Sequence, residues 1–364
     1  MPSIIIDSHH PKHYLTLRQL GRRCRDAGIE VVWTGRKKDV LIDLMRQDGI
    51  EPVMLTSGRR SLGGKLVELA LYDWRLLCLA RRVRPSALIG KAISLAHVGC
   101  LLRIPNILIN DDSAAANPQY RYLGYPFATR ILTAECLGES YGSRQRTYPG
   151  LMELAYLHPN VFSPDPKIRG ELGVSEEERL FLVRLAAFDA YHDVGQHGLS
   201  GALLRRTMDR LMQEGRVFIC SEAPLTGDYT SFALPVAASR LHHVLAACDL
   251  VLGDGLTVCV EAALLGTPAI AIGSYMGKHT YFRELEQRFR LMWGFRPVQE
   301  EEFLSCVTNV LGRHDLKEEW QRRRAAMLDV WGDPTDVFWE ELQALLRRRA
   351  PGQHRPDLPQ SAPS

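Results

Sequence analysis

The sequence predicts an α/β protein of two Rossmann-like domains whose parallel sheets face each other across a cleft. Three observations carry that expectation. Short apolar runs alternate with amphipathic helical runs in both halves of the chain, the spacing of right-handed βαβ units. At 364 residues the chain exceeds one ordinary core and suits two domains, each of roughly 150 to 180 residues. Residues 249–268, DLVLGDGLTVCVEAALLGTP, pass from an apolar strand through the turn Gly253-Asp254-Gly255 into a helix. In α/β sheets such a turn gathers free backbone N–H groups and the positive end of a helix dipole, which together hold phosphate.

The elements follow in order. Residues 3–6 read as a buried strand, and 14–27 as a helix with Leu15, Leu17, Leu20 and Cys24 on its apolar side, closed by Gly28. Strands at 30–33 and 51–55 flank a helix at 40–47. A long apolar helix over 65–82 is stopped by Pro85, and strands follow at 87–90, 106–109 and 130–133. These make the first domain, residues 1–155. The turn-rich stretch 158–166 opens the second, residues 156–335, with strands at 180–185, 216–220, 250–252 and 269–272 and helices at 201–214 and 239–247. A last helix within 336–350 is expected to pack back on the first domain. Residues 351–364, with four prolines and no apolar period, read as a disordered tail.

Composition narrows the function classes. A net charge of +3 is too small for a general nucleic-acid binder. No apolar run approaches the ~20 residues of a membrane span, and MPSIIIDSHH lacks the basic and apolar regions of a signal peptide. The expected location is cytoplasmic. Eight cysteines are scattered with no C-x-x-C pair, which favours reduced, packed thiols over disulfides or zinc. No metal is expected.

Polar clusters at predicted strand ends supply the candidate site, because ligands bind at the carboxyl ends of parallel strands. His9-His10-Pro11-Lys12-His13 follows the first strand, and His10 and His13 are candidate catalytic bases. A helix cap with surface histidines is the competing reading. Asn110-Asp111-Asp112 ends another strand, and Asp112 is a third catalytic candidate, or else a cap for the next helix. In the second half Arg184 can grip a diphosphate with two parallel N–H bonds, while Asp189, His192 and Asp193 orient it or the substrate. Those residues can equally pair among themselves and stiffen the loop. Ser221 and Glu222 sit on the same rim. Glu261, on the helix after the Gly253 turn, can accept hydrogen bonds from both hydroxyls of a ribose. His242, Asp254, Gly255 and Thr257 complete the nucleotide-sugar-binding set. The basic loop at 57–65 suits a polyanionic or lipid-phosphate acceptor, or is simply solvated.

The order ACDLVLGDG then EAALLGTPAI resembles the C-terminal half of GT-B glycosyltransferases and of the related UDP-N-acetylglucosamine 2-epimerases. In those families the glutamate of this element binds the nucleotide ribose, which the resemblance assigns to Glu261. H-P-x-H, G-R-x-S-L-x-G-K, N-D-D, R-x-x-x-x-D-A-x-H-D-x-G-Q-x-G and G-D-x-x-T-x-x-x-E-A-A-x-L-G-T-P, over roughly 3–330, together resemble a prokaryotic domain-of-unknown-function family in that superfamily. Its members usually read G-D-S-G-T where this chain reads Gly253-Asp254-Gly255-Leu256-Thr257, so a serine hydroxyl is lost beside the expected phosphate. The resemblance implies a GT-B-like fold and metal-independent transfer of a sugar from a UDP-sugar co-substrate. The implied acceptor is a lipid-linked or polysaccharide one of the cell envelope, reached at the inner face of the membrane, with no bound cofactor. A UDP-sugar 2-epimerase and a non-catalytic nucleotide-sugar-binding protein are the alternatives. The sequence leaves the oligomeric state open.

Overall fold

Seven strands form the first sheet: β1 (Ser3–Ser8), β2 (Glu30–Arg36), β3 (Val53–Thr56), β4 (Ala87–Gly90), β5 (Asn106–Asn110), β6 (Arg130–Ala134) and β7 (Gln145–Tyr148). Their order is β3-β2-β1-β4-β5-β6-β7, and every pairing is parallel. Five more, β8 (Leu180–Leu185), β9 (Arg216–Ser221), β10 (Leu250–Gly253), β11 (Ala269–Ile272) and β12 (Met292–Phe295), form a second parallel sheet in the order β12-β11-β10-β8-β9. The computed structural model describes residues 2–37, 39–57, 62–113, 117–186, 199, 201–274, 276–277 and 280–349.

In each sheet the chain builds outward one way and then crosses to the other side of its first strand. The resulting switch points lie between β1 and β4 and between β8 and β10, where the following loops diverge and leave a crevice. The strands owe their burial to composition. Ile4, Ile5 and Ile6 in β1 and Leu250, Val251 and Leu252 in β10 are fully buried, as strands covered by helices on both faces require.

Several elements differ from the sequence reading. β1 extends to Ser8, and the first helix begins at Pro11 instead of residue 14. The ring of Pro11 fixes a helical φ at the first position, and His10 Nδ1 accepts from the Lys12 N–H at 3.3 Å as the cap. His13 therefore lies in the first helical turn, not in a loop. The strands β7 and β12 were not expected. QRTY is polar and MWGF is broken by glycine, and both are edge strands held by pairing with one neighbour. Helices Ile93–Leu102, Glu300–Leu311 and Leu316–Leu328 also lacked a sequence expectation.

Segment 151–157 joins the halves by dividing its side chains between two cores. Met152 and Ala155 pack under the first sheet, whereas Leu151, Leu154, Tyr156 and Leu157 enter the core of the second. Helix Pro334–Arg349 returns to the first sheet, burying Phe338, Leu342 and Leu345 beside Tyr14 and Tyr148. Arg130 and Arg146 reach its Glu341 at 3.0 and 2.9 Å. The tail at 351–364 lies outside the described residues. Among the described residues no helix is long and apolar enough to cross a membrane.

Candidate functional site

At the first switch point β1, β4 and β5 each deliver charge. Lys12, in the first turn of the helix after β1, places its ammonium 2.7 Å from Asp111 and 2.8 Å from Glu153. Lys91, just past β4, contacts Asp111 and lies 3.0 Å from Asp112. Burial works to raise the Asp111 pKa, but Lys12 and Lys91 outweigh it and hold the carboxyl well below its usual range. Burial likewise opposes the charge on Lys91, and Asp111 with Asp112 overcomes it. Glu153 moves the other way: burial raises it, with Lys12 only partly compensating. Two neighbouring carboxyls are thus pushed apart in acidity, the pattern of an acid and a base in one site.

Three histidines occupy the same rim in different roles. His10 is exposed and caps its helix. His13 is half-buried, with Nδ1 partnerless among the described residues, and burial followed by the Lys91 charge lowers its pKa well below the ordinary value. It is a neutral imidazole at neutral pH. His9 faces a carboxylate: Nε2 stands 3.0 Å from Asp7 Oδ1. Asp7 is itself fixed, accepting from Thr34 Oγ1 at 2.8 Å and from the Tyr72 hydroxyl, while the Tyr72 ring packs edge-on to His9 at 4.6 Å. Asp112 is tied into its turn, Oδ2 accepting from Asn117 at 2.7 Å and the backbone N–H bonding Asn110 at 3.2 Å.

At the second switch point β8 and β10 approach so closely that only glycine fits. Gly253 has φ +155°, and a Cβ there would lie 2.0 Å from the Arg184 carbonyl oxygen; one on Gly255 would lie 2.5 Å from Arg184 Cγ. Gly255 caps helix Leu256–Leu264 without a side-chain bond, so among the described residues no side chain caps its first N–H groups. Leu256 does not block them. It packs against the second core, while Thr257 is exposed.

Arg184 Nη1 reaches the Cys220 carbonyl at 3.3 Å, Nη2 pairs with Glu222, and its buried Nε has no partner among the described residues. Ser221 ends β9 beside this pair. Asp254 points elsewhere: Oδ1 accepts from the Ala186 N–H at 2.7 Å and Oδ2 from the Leu199 N–H at 3.0 Å. Burial lifts its pKa to about 6 despite those donors. It clamps both ends of the stretch containing Asp189, His192 and Asp193, which lie outside the described residues.

Glu261 is 5% exposed. Its Oε1 accepts from the Tyr156 hydroxyl at 2.7 Å and faces His242 Nε2 at 3.3 Å. Burial opposes its ionisation, but His242 and then Tyr156 more than offset this and lower the pKa. Glu153 and Tyr156 are three residues apart, so one short segment links Lys12 of the first mouth to Glu261 of the second.

The sequence reading placed His9, Lys12 and Asp111 in clusters at the crevice without giving them a role, and it missed Asp7, Lys91 and Glu153 altogether. Asp7-x-His9 was the available signal for that pair, since a strand end followed by a loop brings alternate residues to one side. Nothing local marked Glu153 or Lys91. A cavity of about 650 Å³ between Trp293, Phe295 and Cys306 lies at the β12 edge and touches neither mouth.

Residues 3–290 match the family described as "Protein of unknown function (DUF354)". The chain belongs to this family. Both mouths fall within the matched span. No curated protein matches the sequence. Among solved structures, spinosyn rhamnosyltransferase SpnG complexed with thymidine diphosphate shares 16% identity, with a TM-score of 0.61 over 94% of this chain and 100% of its own. The S. aureus MnaA-UDP co-structure shares 10%, with a TM-score of 0.66 over 95% and 97%. A UDP-N-acetylglucosamine 2-epimerase shares 12%, with a TM-score of 0.65 over 98% of both chains. The DUF354 chain thus has the GT-B fold, two Rossmann-like domains shared by glycosyltransferases and epimerases.

Proposed function

We propose that this protein is an enzyme that transfers a sugar from a UDP-sugar to a hydroxyl of a lipid-linked or polysaccharide acceptor. One observation carries the reading: Glu153 pairs with Lys12 at the first switch point and Tyr156 with Glu261 at the second, so one short segment joins the mouth of Asp7 and His9 to that of Arg184 and the start of helix Leu256–Leu264. Glu261 holds the ribose, with Tyr156 and His242 both on Oε1 and Oε2 turned to the ligand. The N–H groups of helix Leu256–Leu264 and Arg184, released from Glu222, stabilise the departing diphosphate. His9, with Nε2 3.0 Å from Asp7, takes the proton of the acceptor hydroxyl as it attacks the anomeric carbon. This assigns the base to His9, with His13 a neutral neighbour and His10 a cap. Ser221 and Thr257 line the diphosphate, and Asp254 supports Asp189, His192 and Asp193 through the loop it clamps.

The split acidities of Asp111 and Glu153 favour a second reading, epimerisation, in which one carboxyl removes and another returns a proton at sugar C2. One experiment separates the readings: UDP-sugars are incubated with protein in D2O with and without acceptor, and released UDP and sugar deuteration are measured. Acceptor-dependent UDP release supports transfer, and deuterium at C2 supports epimerisation. Binding with neither leaves a nucleotide-sugar-binding protein and removes the catalytic assignments.

A further inference from the structure

The outer side of the first domain carries an apolar surface that neither mouth uses. Helix Leu62–Val83, helix Ile93–Leu102 and the turns at 120–127 cover one face of the first sheet, burying Tyr72, Leu76, Leu95 and Tyr125 against it. Their opposite sides expose Leu66 (66%), Trp74 (59%), Leu101 (65%), Tyr122 (69%) and Phe127 (43%). The three elements meet at His97, whose Nδ1 lies 2.8 Å from Asp73 and whose Nε2 lies 2.7 Å from the Leu123 carbonyl. Its ring packs on Phe127 at 5.4 Å. Residues beside Trp74, Leu123 and Phe127 therefore converge on one ring, and the exposed side chains belong to one surface instead of being scattered.

The charge on these elements is one-sided. Arg81, Arg82, Arg103 and Arg121 are exposed. The acids of helix Leu62–Val83 are both engaged, Glu68 buried against Arg36 and Thr56 and Asp73 on His97. Neither helix Ile93–Leu102 nor residues 118–127 contain an Asp or Glu.

We infer that this surface docks on an anionic lipid bilayer, with Leu66, Trp74, Leu101, Tyr122 and Phe127 entering the headgroup region and the arginines lying among lipid phosphates. Exposed Trp and Tyr with leucines and a basic rim are the chemistry of an interfacial surface, where aromatic rings sit at headgroup depth and arginine stems stretch to the phosphates. A second copy of the chain is a poorer occupant. A two-fold contact sets each patch against itself, which brings arginine against arginine with no exposed acid in between. The inference supplies the membrane source of a lipid-linked acceptor but stands independently of sugar transfer, because its assay involves no nucleotide.

The test is co-sedimentation of the full chain with phosphatidylcholine vesicles containing about a third phosphatidylglycerol, against pure phosphatidylcholine. The expected result is binding to the anionic vesicles, reversed by high salt. Leu66→Ser/Trp74→Ser and Arg81→Gln/Arg82→Gln should each weaken partitioning by more than about tenfold, with unchanged melting temperature because all four side chains are exposed. No vesicle binding by the wild type, or equal binding by both variants, overturns the inference. So does a wild-type dimer in sedimentation velocity that Leu66→Ser/Trp74→Ser converts to monomer, since the patch is then an interface between copies.

Discussion

Replacing Glu261 with alanine tests the nucleotide mouth most sharply, because the side chain has two separable duties. Its Oε1 accepts from Tyr156 at 2.7 Å and faces His242 at 3.3 Å, and the group is 5% exposed. Hydrogen bonds that a buried carboxylate accepts from ribose hydroxyls are charge-assisted, so truncation should weaken UDP binding by ~1.5 to 3 kcal/mol, or about 10- to 150-fold in Kd. It also strands the Tyr156 hydroxyl in the core, costing about 1 to 3 kcal/mol of stability. Tyr156→Phe separates the two effects, since it removes the buried donor while leaving the carboxylate for ligand. Calorimetric titration with UDP and with 2′,3′-dideoxy-UDP gives the decisive comparison. The wild type should prefer UDP, Tyr156→Phe should keep most of that preference, and Glu261→Ala should lose it, the two ligands binding it alike. If Glu261→Ala folds and still discriminates between them as the wild type does, the ribose assignment is wrong.

Three other predictions follow from the same geometry. Arg184→Lys retains the charge but loses the planar fork of parallel N–H groups, so UDP should lose several-fold more affinity than uridine in the same titration; equal losses would count against a diphosphate contact. His9→Ala and Asp7→Asn should each lower turnover by about 10²- to 10⁴-fold with UDP affinity nearly unchanged, whereas His10→Ala should cost only about 1 kcal/mol of stability through its cap; wild-type turnover by His9→Ala moves the base to His13. Asp254 titrates near 6 in the folded chain, against about 3.9 unfolded, so folding takes up a proton between these values. Its ionised burial should cost roughly 3 kcal/mol above pH 6, a cost that disappears as pH falls from 6 to 4. Asp254→Asn should flatten that dependence in denaturant titrations while losing one of the two loop clamps, and an identical pH profile for both proteins would refute it.

The sequence displayed its fold wherever local pattern and tertiary requirement coincide. Strands such as Ile4–Ile6 and 250–252 are continuous apolar runs because helices cover both faces, and composition alone reveals them. The Gly253 turn was legible because backbone proximity admits only glycine, here 2.0 Å from a neighbouring carbonyl. Strands β7 and β12 escaped notice because an edge strand is held by its neighbour's hydrogen bonds, and neither the polar QRTY nor the glycine-broken MWGF is a continuous apolar run. The first helix started early because Pro11 and the His10 cap stabilise a turn that hydrophobic period does not mark.

By itself, then, the sequence determined the two-sheet α/β architecture, the phosphate-type turn and the placing of polar clusters after strands, since these depend on periodicity and on conformations confined to glycine and proline. Tertiary structure alone decided which polar groups share a site. His9 Nε2 comes to 3.0 Å from a carboxylate because β1 runs two residues further than its apolar run and brings Asp7 to the ring. Lys12, Lys91, Asp111 and Glu153 meet from four separate segments, and Asp254 serves the backbone where its motif suggested a ligand. Charge pairing acts through space at about 3 Å, and residues that far apart along the chain leave no mark on one another's local sequence.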